Sequence, residues 1–452
     1  MSIFHSLKYR NYRLFFYGQS VSLIGTWMQK VAVSWLVYRL THSAFLLGVV
    51  GFASLIPSLV LSPYAGTLTD RHDRYRILLV TQVASMLQAG ALALLVWTRD
   101  FNIHWLVWLS LLQGIVNAFD NTARQSLMVE LIEEKKDLPN AIALYSSMAN
   151  FARLLGPALA GILLSTLGED FCFFANFVSY IAVLASLLMV RLKKSPLPKK
   201  EDNIWDGLRE GYIYLENSPG LLSLIILLAA CSLLVIPFST LMPVFAKDLF
   251  RGDAKTFSWF ESAAGLGALL GAAFMAARGA GGKLIKLMIG SGILFGFSLI
   301  LLSTSRLLPL SLLFMMAAGM GMMIQTSSIN TYIQTHCSPA MRGRIISYYL
   351  MAYQGLFPLG SLLTGALANH AGARVTVGVE GCLGIASTVL FLLYKKKYIN
   401  ALTARRYTAD FTGYAKESGK IPGTGTQDRC RLPVCPPEDK KPPVLPGGSF
   451  RL

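Results

Sequence analysis

The stretch Leu192-Lys-Lys-Ser-Pro-Leu-Pro-Lys-Lys-Glu-Asp202 interrupts a chain that otherwise consists mostly of long apolar runs. Its lysines and prolines cannot continue an apolar helix, because charges are costly in lipid and proline lacks an amide hydrogen. Six apolar runs precede it and six follow it, each close to the roughly 20 residues that a helix needs to cross a bilayer. We predict an all-α polytopic membrane protein of twelve transmembrane helices in two pseudo-symmetric six-helix halves. The predicted spans are 14–39, 44–65, 77–97, 104–119, 141–166, 171–191, 220–245, 256–277, 284–304, 307–329, 345–368 and 375–394.

The composition excludes an ordinary soluble protein. Hydrophobic residues make up 54% of the 452 residues and charged residues only 14%, whereas about a quarter of a soluble domain is charged. The charge is also unbalanced, with 41 Lys and Arg against 24 Asp and Glu, a formal net charge of +17. Such an excess is typical either of a nucleic-acid-binding surface or of the cytoplasmic loops of a membrane protein.

The positions of the cations separate these two interpretations. If the amino terminus is cytoplasmic, 20 Lys and Arg fall in the loops on that side and 7 in the loops on the other. Lysine and arginine accumulate in cytoplasmic loops, so we expect a multi-pass protein of the cytoplasmic (inner) membrane with both termini inside. The distribution argues against nucleic acid as a partner and for membrane lipid as the surroundings, and we expect a monomer.

The same pattern divides the chain into four regions. Residues 1–191 form the amino-terminal half and residues 220–396 the carboxyl-terminal half. The linker 192–219 has apolar residues at helical spacing from Asn203 to Leu215, which predicts an amphipathic helix lying against the membrane or the bundle. Residues 397–452 are rich in proline and glycine and have no apolar periodicity, so we predict a disordered tail.

Two segments repeat across the halves. Asn121-Thr-Ala-Arg-Gln and Asn330-Thr-Tyr-Ile-Gln each follow the fourth span of their half and lead into the fifth. Many secondary transporters are built from duplicated six-span halves, with the substrate site near the midplane between them. In addition, the loop Gly66-Thr-Leu-Thr-Asp-Arg-His-Asp-Arg-Tyr-Arg76 between spans 2 and 3 resembles the signature loop of the major facilitator superfamily.

Further motifs narrow the resemblance. Gly156-Pro-Ala-Leu-Ala-Gly161 in span 5 resembles the antiporter motif of that superfamily. Leu7-Lys-Tyr-Arg-Asn-Tyr-Arg-Leu-Phe-Phe16, Gly25-Thr-Trp-Met-Gln29 and Arg342-Gly-Arg344 are similar to its branch of secretion effectors, which includes the enterobactin exporter. The chain is therefore identified as resembling this superfamily over residues 1 to 396, with the tail unmatched.

The resemblance implies that the signature loop latches the two halves in one conformation. Gly66 would allow a sharp exit from span 2, and Asp70 would cap the start of span 3, where a carboxylate meets the positive end of a helix. Arg71 and Arg74 could then pair with Asp70 or with Asp120. The alternative is a plain basic loop that only sets the topology.

The motif in span 5 has two interpretations as well. Gly156, Pro157 and Gly161 remove side-chain bulk and one backbone hydrogen bond, which suits a hinge or a seal between helices. Close packing of small residues without a coupling role is the alternative.

Ionisable and amide side chains inside the spans point to a substrate path, because such groups are costly in lipid and usually functional. Gln19, Gln29 and Lys30 belong to one polar stripe of span 1, and Asn150 and Arg153 share a face of span 5. We expect both stripes to face a wet cavity lined by spans 1, 5, 7, 8 and 11. The cations would suit an anionic or catecholate-like substrate or pair with a carboxylate, and the alternative for Lys30 is snorkelling or a structural pair.

Proton coupling requires a carboxylate within the membrane. Glu261 in span 8 is the best candidate and Glu380 in span 12 the second. Both fall near the outer ends of their spans, so a solvated interfacial carboxylate is the alternative for each. Ser110 departs from the resemblance, because many proton-coupled drug antiporters carry an arginine at that place in span 4.

These features predict a secondary transporter rather than an enzyme. We expect proton-coupled export of a small amphipathic molecule, a drug-like compound or a siderophore, by alternating access. The sequence has no phosphate-binding glycine-rich loop and no paired histidine spacing, so we expect no ATP, no cofactor and no metal. Two alternatives remain: a lipid or lysolipid flippase of the same fold, and a non-transporting membrane sensor.

Overall fold

The computed structural model describes residues 5–99, 102–191, 204–278, 284–338 and 341–394. The predicted disordered tail lies outside the described residues, and all regular elements within them are helical. The helices are α1 (Arg10–Thr41), α2 (Ala44–Arg71), α3 (Arg74–Trp97), α4 (Ile103–Glu130), α5 (Leu138–Thr166), α6 (Glu169–Leu188), α7 (Ile204–Glu216), α8 (Pro219–Leu249), α9 (Ala254–Arg278), α10 (Leu284–Thr304), α11 (Leu308–His336), α12 (Arg342–Ala371) and α13 (Ala373–Tyr394).

Ten of these helices, α2, α3, α5, α6 and α8 to α13, are long and apolar enough to cross a membrane. Helices α1 and α4 have 32 and 28 residues, about 48 and 42 Å at 1.5 Å per residue, which exceeds the roughly 30 Å of hydrocarbon. Both carry polar side chains along one face, for example Gln29 and Lys30 in α1 and Asn117 in α4. The all-α fold is confirmed, and the number of twelve transmembrane helices stays a prediction.

Helix α7 is the amphipathic helix expected in the linker, and it packs on the carboxyl-terminal half. Tyr348 of α12 donates a hydrogen bond to the backbone carbonyl of Leu208 over 3.0 Å. Arg344 of α12 forms an ion pair with Glu210, and Leu215 is buried. The linker helix is therefore tied to the bundle by α12.

Buried apolar side chains form three clusters that reveal how the halves meet. The first cluster contains residues of both halves, among them Trp35 and Leu47 from one and Phe245 and Phe257 from the other. It lies where α1 ends and α2 begins, and we call this end of the bundle the joined end. At the opposite end, the divided end, one cluster contains only residues of the first half and another only residues of the second half with α7. The halves thus share a core at the joined end and have separate cores at the divided end.

Two helix pairs form close seams between the halves near the joined end. In the seam of α2 and α12, a Cβ atom on Gly365 would lie 2.6 Å from the carbonyl oxygen of Ala44. In the seam of α5 and α9, a Cβ atom on Gly161 would lie 2.6 Å from the Cβ of Ser258. Such distances are too short for a real Cβ atom, so glycine is what allows these helices to approach.

Candidate functional site

A cavity of about 250 Å³ lies between the two halves. Helices α1, α2, α3, α4 and α6 line it from the first half, and α8, α9 and α12 from the second. Leu47 and Phe257 belong both to its wall and to the shared core of the joined end. Phe257 also stacks on Trp35 across the halves, with ring centroids 6.3 Å apart. The cavity is therefore closed by packed aromatic rings toward the joined end.

Two cations of the first half share one aromatic ring at the cavity. The Nζ of Lys30 lies 4.7 Å from the ring centroid of Trp27, and the guanidinium carbon of Arg153 lies 5.6 Å from a Trp27 ring centroid. An indole face attracts a cation by about 0.5–1 kcal/mol at an exposed site and by about 2 kcal/mol when the pair is desolvated. Trp27 and Lys30 line the cavity, whereas Arg153 stands behind them on α5. This arrangement fixes two positive charges beside the wall of the first half.

Glu261 of α9 approaches these cations from the opposite half. It lines the same cavity, is half-buried, and interacts electrostatically with Lys30 and Arg153. Within the described part of the chain, no ion pair of 4.0 Å or less joins Glu261 to either cation. The carboxylate therefore faces the cavity without a direct ionic partner.

A chain of amides stiffens the first-half wall. Asn176 donates a hydrogen bond to the side-chain oxygen of Gln29 over 2.7 Å, and Gln29 donates to the side-chain oxygen of Gln88 over 2.9 Å. Gln88 in turn donates to the backbone carbonyl of Leu109 over 3.3 Å. These hydrogen bonds link α6, α1, α3 and α4. Gln29 lines the cavity, but its amide oxygen and nitrogen are both hydrogen-bonded to neighbouring helices and stabilise the wall.

A second polar face on the wall was not singled out from the sequence. Gln113 donates hydrogen bonds to Asn117 over 3.0 Å and to Ser85 over 3.3 Å. Its side-chain oxygen has no partner among the described residues. Ser110, Gln113 and Asn117 line the cavity together and lie one turn apart along α4, so helical spacing was the signal that could have found them.

The remaining predicted path residues lie away from the cavity wall. Gln19 is fully buried in α1, and neither polar atom of its amide has a partner among the described residues. Asn150 donates to the backbone carbonyl of Ser146 within α5. No residue of α5 lines the cavity, which corrects the expectation that span 5 would do so. The small residues of α5 place that helix against α1 and α9 instead.

Glu380, the second candidate carboxylate, is buried within the second half. Only 3% of its surface is exposed, and Thr364 of α12 donates a hydrogen bond to its Oε1. Its Oε2 has no partner in the part of the chain that the structure describes. Glu380 is therefore shielded from solvent and does not line the cavity.

The signature loop is arranged differently from the prediction. Helix α2 continues without a break past Gly66, and Asp70 lies in the last turn of α2 instead of at the start of α3. The residue that caps α3 is Asp73, whose carboxylate accepts hydrogen bonds from the backbone amides of Tyr75 over 3.0 Å and Arg76 over 3.4 Å. Asp73 immediately precedes the first helical residue in extended backbone, where an aspartate side chain can reach the free amides.

Two ion pairs near the loop were not among those predicted from the sequence. Arg74 pairs with Glu130 at the end of α4 over 2.6 Å, and Arg71 is exposed at the divided end. Asp120 is buried and pairs with Arg124 one turn further along α4. It also accepts hydrogen bonds from Thr81 and Gln82 of α3 over 3.0 and 2.5 Å. Asp120 is therefore satisfied by partners inside the first half.

The motif in span 5 packs α5 against two neighbours. A Cβ atom on Gly156 would overlap the Cβ of Trp27, so glycine allows α1 to lie directly against α5. Gly161 belongs to the seam with α9, and α5 remains helical through Pro157. Gly156 thereby helps to bring Trp27 beside Arg153, while a role of this motif in gating stays a prediction.

The described residues contain no group of three or more His, Cys, Asp or Glu side chains that could hold a metal ion. The residues that line the cavity can recognise a ligand by charge, by amide hydrogen bonds and by apolar contact.

Known proteins of similar sequence cover nearly the whole chain. The staphyloferrin A transporter of Staphylococcus aureus is 24% identical over 392 residues, covering 85% of this chain and 96% of that protein. Macrolide efflux protein A of Streptococcus pyogenes is 25% identical, with the same coverage. The multidrug efflux pump Tap of Mycolicibacterium fortuitum is 25% identical and covers 76% of this chain and 86% of the pump.

Solved structures share the fold. A bacterial homolog of the human lysosomal transporter Spinster, in an inward-facing and unoccupied conformation, superposes with a TM-score of 0.65 at 14% identity, covering 87% of this chain and 98% of that one. The nucleoside transporter NupG superposes with a TM-score of 0.65 at 14% identity, covering 86% and 99%. The solved structures show that the fold is shared, and the sequence match over residues 1–412 together with the transporter relatives defines the chain as a multi-pass membrane transporter of the major facilitator superfamily.

The family within that superfamily follows from the sequence match. The chain matches the transmembrane secretion effector family over residues 1–412 and belongs to it.

Proposed function

We propose that this transporter exports a small amphipathic compound, drug-like or a siderophore, from the cytoplasm in exchange for protons. The observation that carries the proposal is the cavity between the halves, which combines apolar side chains with a charged and amide-rich wall. Pockets of this kind bind the carbon body of a ligand by apolar contact and orient it through a few polar groups. The relatives named for macrolide efflux and multidrug efflux support export as the direction.

The distribution of charge supports an orientation with the divided end in the cytoplasm. The chain begins at the divided end, and the loops there carry most of the Lys and Arg of the membrane region. Because such residues stay on the cytoplasmic side, we propose that the joined end faces away from the cytoplasm and that both termini lie on the cytoplasmic side of the membrane. In this proposal the structure represents an inward-facing state, the substrate enters the cavity from the cytoplasm, and the protein acts as a monomer.

Glu261 is the proposed proton carrier. Its carboxylate on α9 and the cations on α1 and α5 attract one another across the two halves. An ionised Glu261 therefore favours the closed joined end, and a proton on Glu261 removes that attraction. Ligand or proton must therefore break the attraction before the joined end can open. In export by proton exchange, Glu261 would take up a proton from outside after the substrate has left and release it inside after the return step.

The signature loop is the proposed latch of the opposite state. Arg71 is exposed at the divided end, and Arg74 joins the start of α3 to the end of α4. When the divided end closes, these cations and Asp70 come within reach of the second half and hold it, whereas Asp120 keeps the first half rigid.

Transport in proteoliposomes tests the function. The full chain is reconstituted with a pH indicator trapped inside, and a macrolide and staphyloferrin A serve as probes. We expect probe movement coupled to proton movement in the opposite direction, and loss of the proton signal in Glu261→Gln. Glu216→Gln, at the exposed end of α7, is the control and should behave as the unchanged chain.

Two results would overturn parts of the proposal. Unchanged proton movement in Glu261→Gln together with loss in Glu380→Gln would transfer the carrier role to Glu380. Translocation of a fluorescent phospholipid without movement of either probe would show a flippase, and probe binding without any flux would show a sensor.

A further inference from the structure

The cavity wall carries opposite charges on opposite halves, and they are not joined directly. Lys30 lines the wall of the first half and Glu261 the wall of the second. We propose that the substrate is amphoteric, with an acidic group that binds Lys30 and a basic or hydrogen-bond-donating group that binds Glu261. This inference rests on the proposed function and names the substrate class for the same cavity.

The wall of the first half favours an acidic group on the ligand, because the Trp27 ring already binds two cations of the protein. Trp27 holds the ammonium of Lys30 at 4.7 Å and the guanidinium of Arg153 at 5.6 Å from its ring centroids. The ring therefore serves the protein's own cations and is a poor site for a cation on the ligand. Lys30 is exposed to the cavity and can donate charge-assisted hydrogen bonds to a carboxylate or an acidic phenol.

The second-half wall recognises a base or donor because a carboxylate accepts hydrogen bonds only. Glu261 has no ion pair within 4.0 Å among the described residues, so its oxygens are available to a ligand. A ligand with only negative charge would be repelled by Glu261, and a ligand with only positive charge would be repelled by Lys30 and Arg153. An amphoteric ligand avoids both penalties and bridges the two halves.

The direction of proton coupling leads to the same class. A basic group on Glu261 competes with the proton, so ligand and proton exclude each other, as exchange requires. A purely anionic ligand would bind better when Glu261 is protonated, and the two would then travel in the same direction. Export in exchange for protons through Glu261 therefore needs a basic or donating group on the substrate.

Three probes with the same phenyl group separate these contributions: phenylalanine carries both charges, phenethylamine only the amine, and 3-phenylpropionate only the acid. Binding to the purified full chain is followed by thermal stabilisation, read from tryptophan fluorescence, which phenyl probes do not disturb. We expect phenylalanine to stabilise the unchanged chain most, because only it satisfies Lys30 and Glu261 together.

Two charge-removing variants should shift the preference in opposite directions. Lys30→Gln should weaken phenylalanine binding about tenfold and improve the relative binding of phenethylamine. Loss of one hydrogen bond to a charged group costs about 1.4 kcal/mol, which corresponds to a tenfold change in Kd. Glu261→Gln should weaken phenylalanine binding by a similar factor and favour 3-phenylpropionate. Lys30→Arg and Glu261→Asp keep the charges and should keep the original order, which controls for general damage to the fold.

The proposal is wrong if either charge-removing variant changes the response to all three probes alike, or if no probe stabilises the unchanged chain. Since the measurement involves binding alone, this failure leaves the transport assay untouched. Conversely, if the two variants shift the probe preference in opposite directions but no flux is seen in proteoliposomes, the amphoteric site is supported and export is rejected.

Discussion

Tyr38 of α1 donates a hydrogen bond to the carboxylate of Asp248 in α8, and this contact joins the two halves at the joined end. Tyr38 is only 2% exposed and belongs to the core shared by both halves. One turn earlier on α1, Trp35 stacks on Phe257 of the other half. Polar and apolar contacts therefore close the same end of the bundle.

Removal of this hydrogen bond should loosen the joined end. Tyr38→Phe keeps the ring but loses a hydrogen bond to a charged acceptor, which is worth about 1.5–3 kcal/mol. We expect faster labelling of a cysteine placed at Ser239 on the cavity wall by a maleimide supplied from the joined side. Tyr17→Phe, on the exposed face of the same helix, should leave labelling as it was. Equal labelling of both variants would show that Tyr38 does not hold the joined end.

Bulk in the seam of α2 and α12 should have a similar effect through sterics. A Cβ atom on Gly365 would meet the carbonyl oxygen of Ala44 at 2.6 Å, so Gly365→Ala must push the helices apart. Overpacking of this kind costs about 1–3 kcal/mol, and we expect the joined end to open more often in the same labelling assay. Gly290→Ala is the matched control, because a Cβ atom there meets nothing within 4 Å. Equal labelling rates in Gly365→Ala and Gly290→Ala would contradict this account.

The buried pair of Asp120 and Arg124 should matter for stability rather than for substrate choice. Arg124→Gln leaves the Asp120 carboxylate buried with only its hydrogen bonds from α3, and loss of one partner of a buried ion pair costs about 3–5 kcal/mol. We expect a clear fall in the melting temperature of the purified protein. The double change Asp120→Asn with Arg124→Gln should be milder, because no unpaired charge remains. Arg71→Gln at the exposed divided end should be nearly neutral.

The amino-terminal turn should stay docked across the physiological pH range. Lys8 and Tyr9 each contact the Asp137 carboxylate over 2.7 Å. The hydrogen bond from Lys8 lowers the pKa of Asp137 below its ordinary 3.8, and the same contact raises the pKa of Lys8 above 10.5.

The sign of each shift sets the pH window. The contribution of Asp137 is present above its unfolded pKa and lost as the pH falls through the depressed folded pKa. The contribution of Lys8 is present below its unfolded pKa and lost as the pH rises through the raised folded pKa. Hydrogen exchange at residues 5–9 should therefore show constant protection between these limits, after correction for the intrinsic rate. In Asp137→Asn we expect weaker protection at neutral pH, and a loss of protection near pH 7 in the unchanged chain would refute the assignment.

The candidate site shows which kinds of inference a sequence supports. Gln29 and Lys30 were predicted to face a cavity because polar groups inside apolar spans need water or partners, whereas Glu261 was predicted as a proton-coupling carboxylate. All three line the cavity. Arg153 was predicted for the same reason but stands behind Trp27. Polarity indicates that a side chain avoids lipid, but it does not indicate what the side chain contacts. Arg153 contacts the Trp27 ring instead of lining the water-accessible cavity.

The signature loop shows a different limit. The change from α2 to α3 occurs at His72 and Asp73, six and seven residues beyond Gly66 and close to Asp70. A glycine and two nearby aspartates are all compatible with a helix end, and only the backbone path decides which carboxylate meets free amides. Trp27 was overlooked because a tryptophan within an apolar span has no sequence signal that distinguishes a cation-binding ring from core packing.

The sequence by itself determined that the chain is all-helical and membrane-embedded, and where most helices run. These properties depend on length, hydropathy and charge along one dimension, and each span carries that information within itself. Only the tertiary structure decided that the halves join at one end, that Trp27 brings Lys30 and Arg153 together, and that Glu261 faces them without a direct ion pair. Those relations depend on contacts between helices distant in the chain, which local periodicity does not encode.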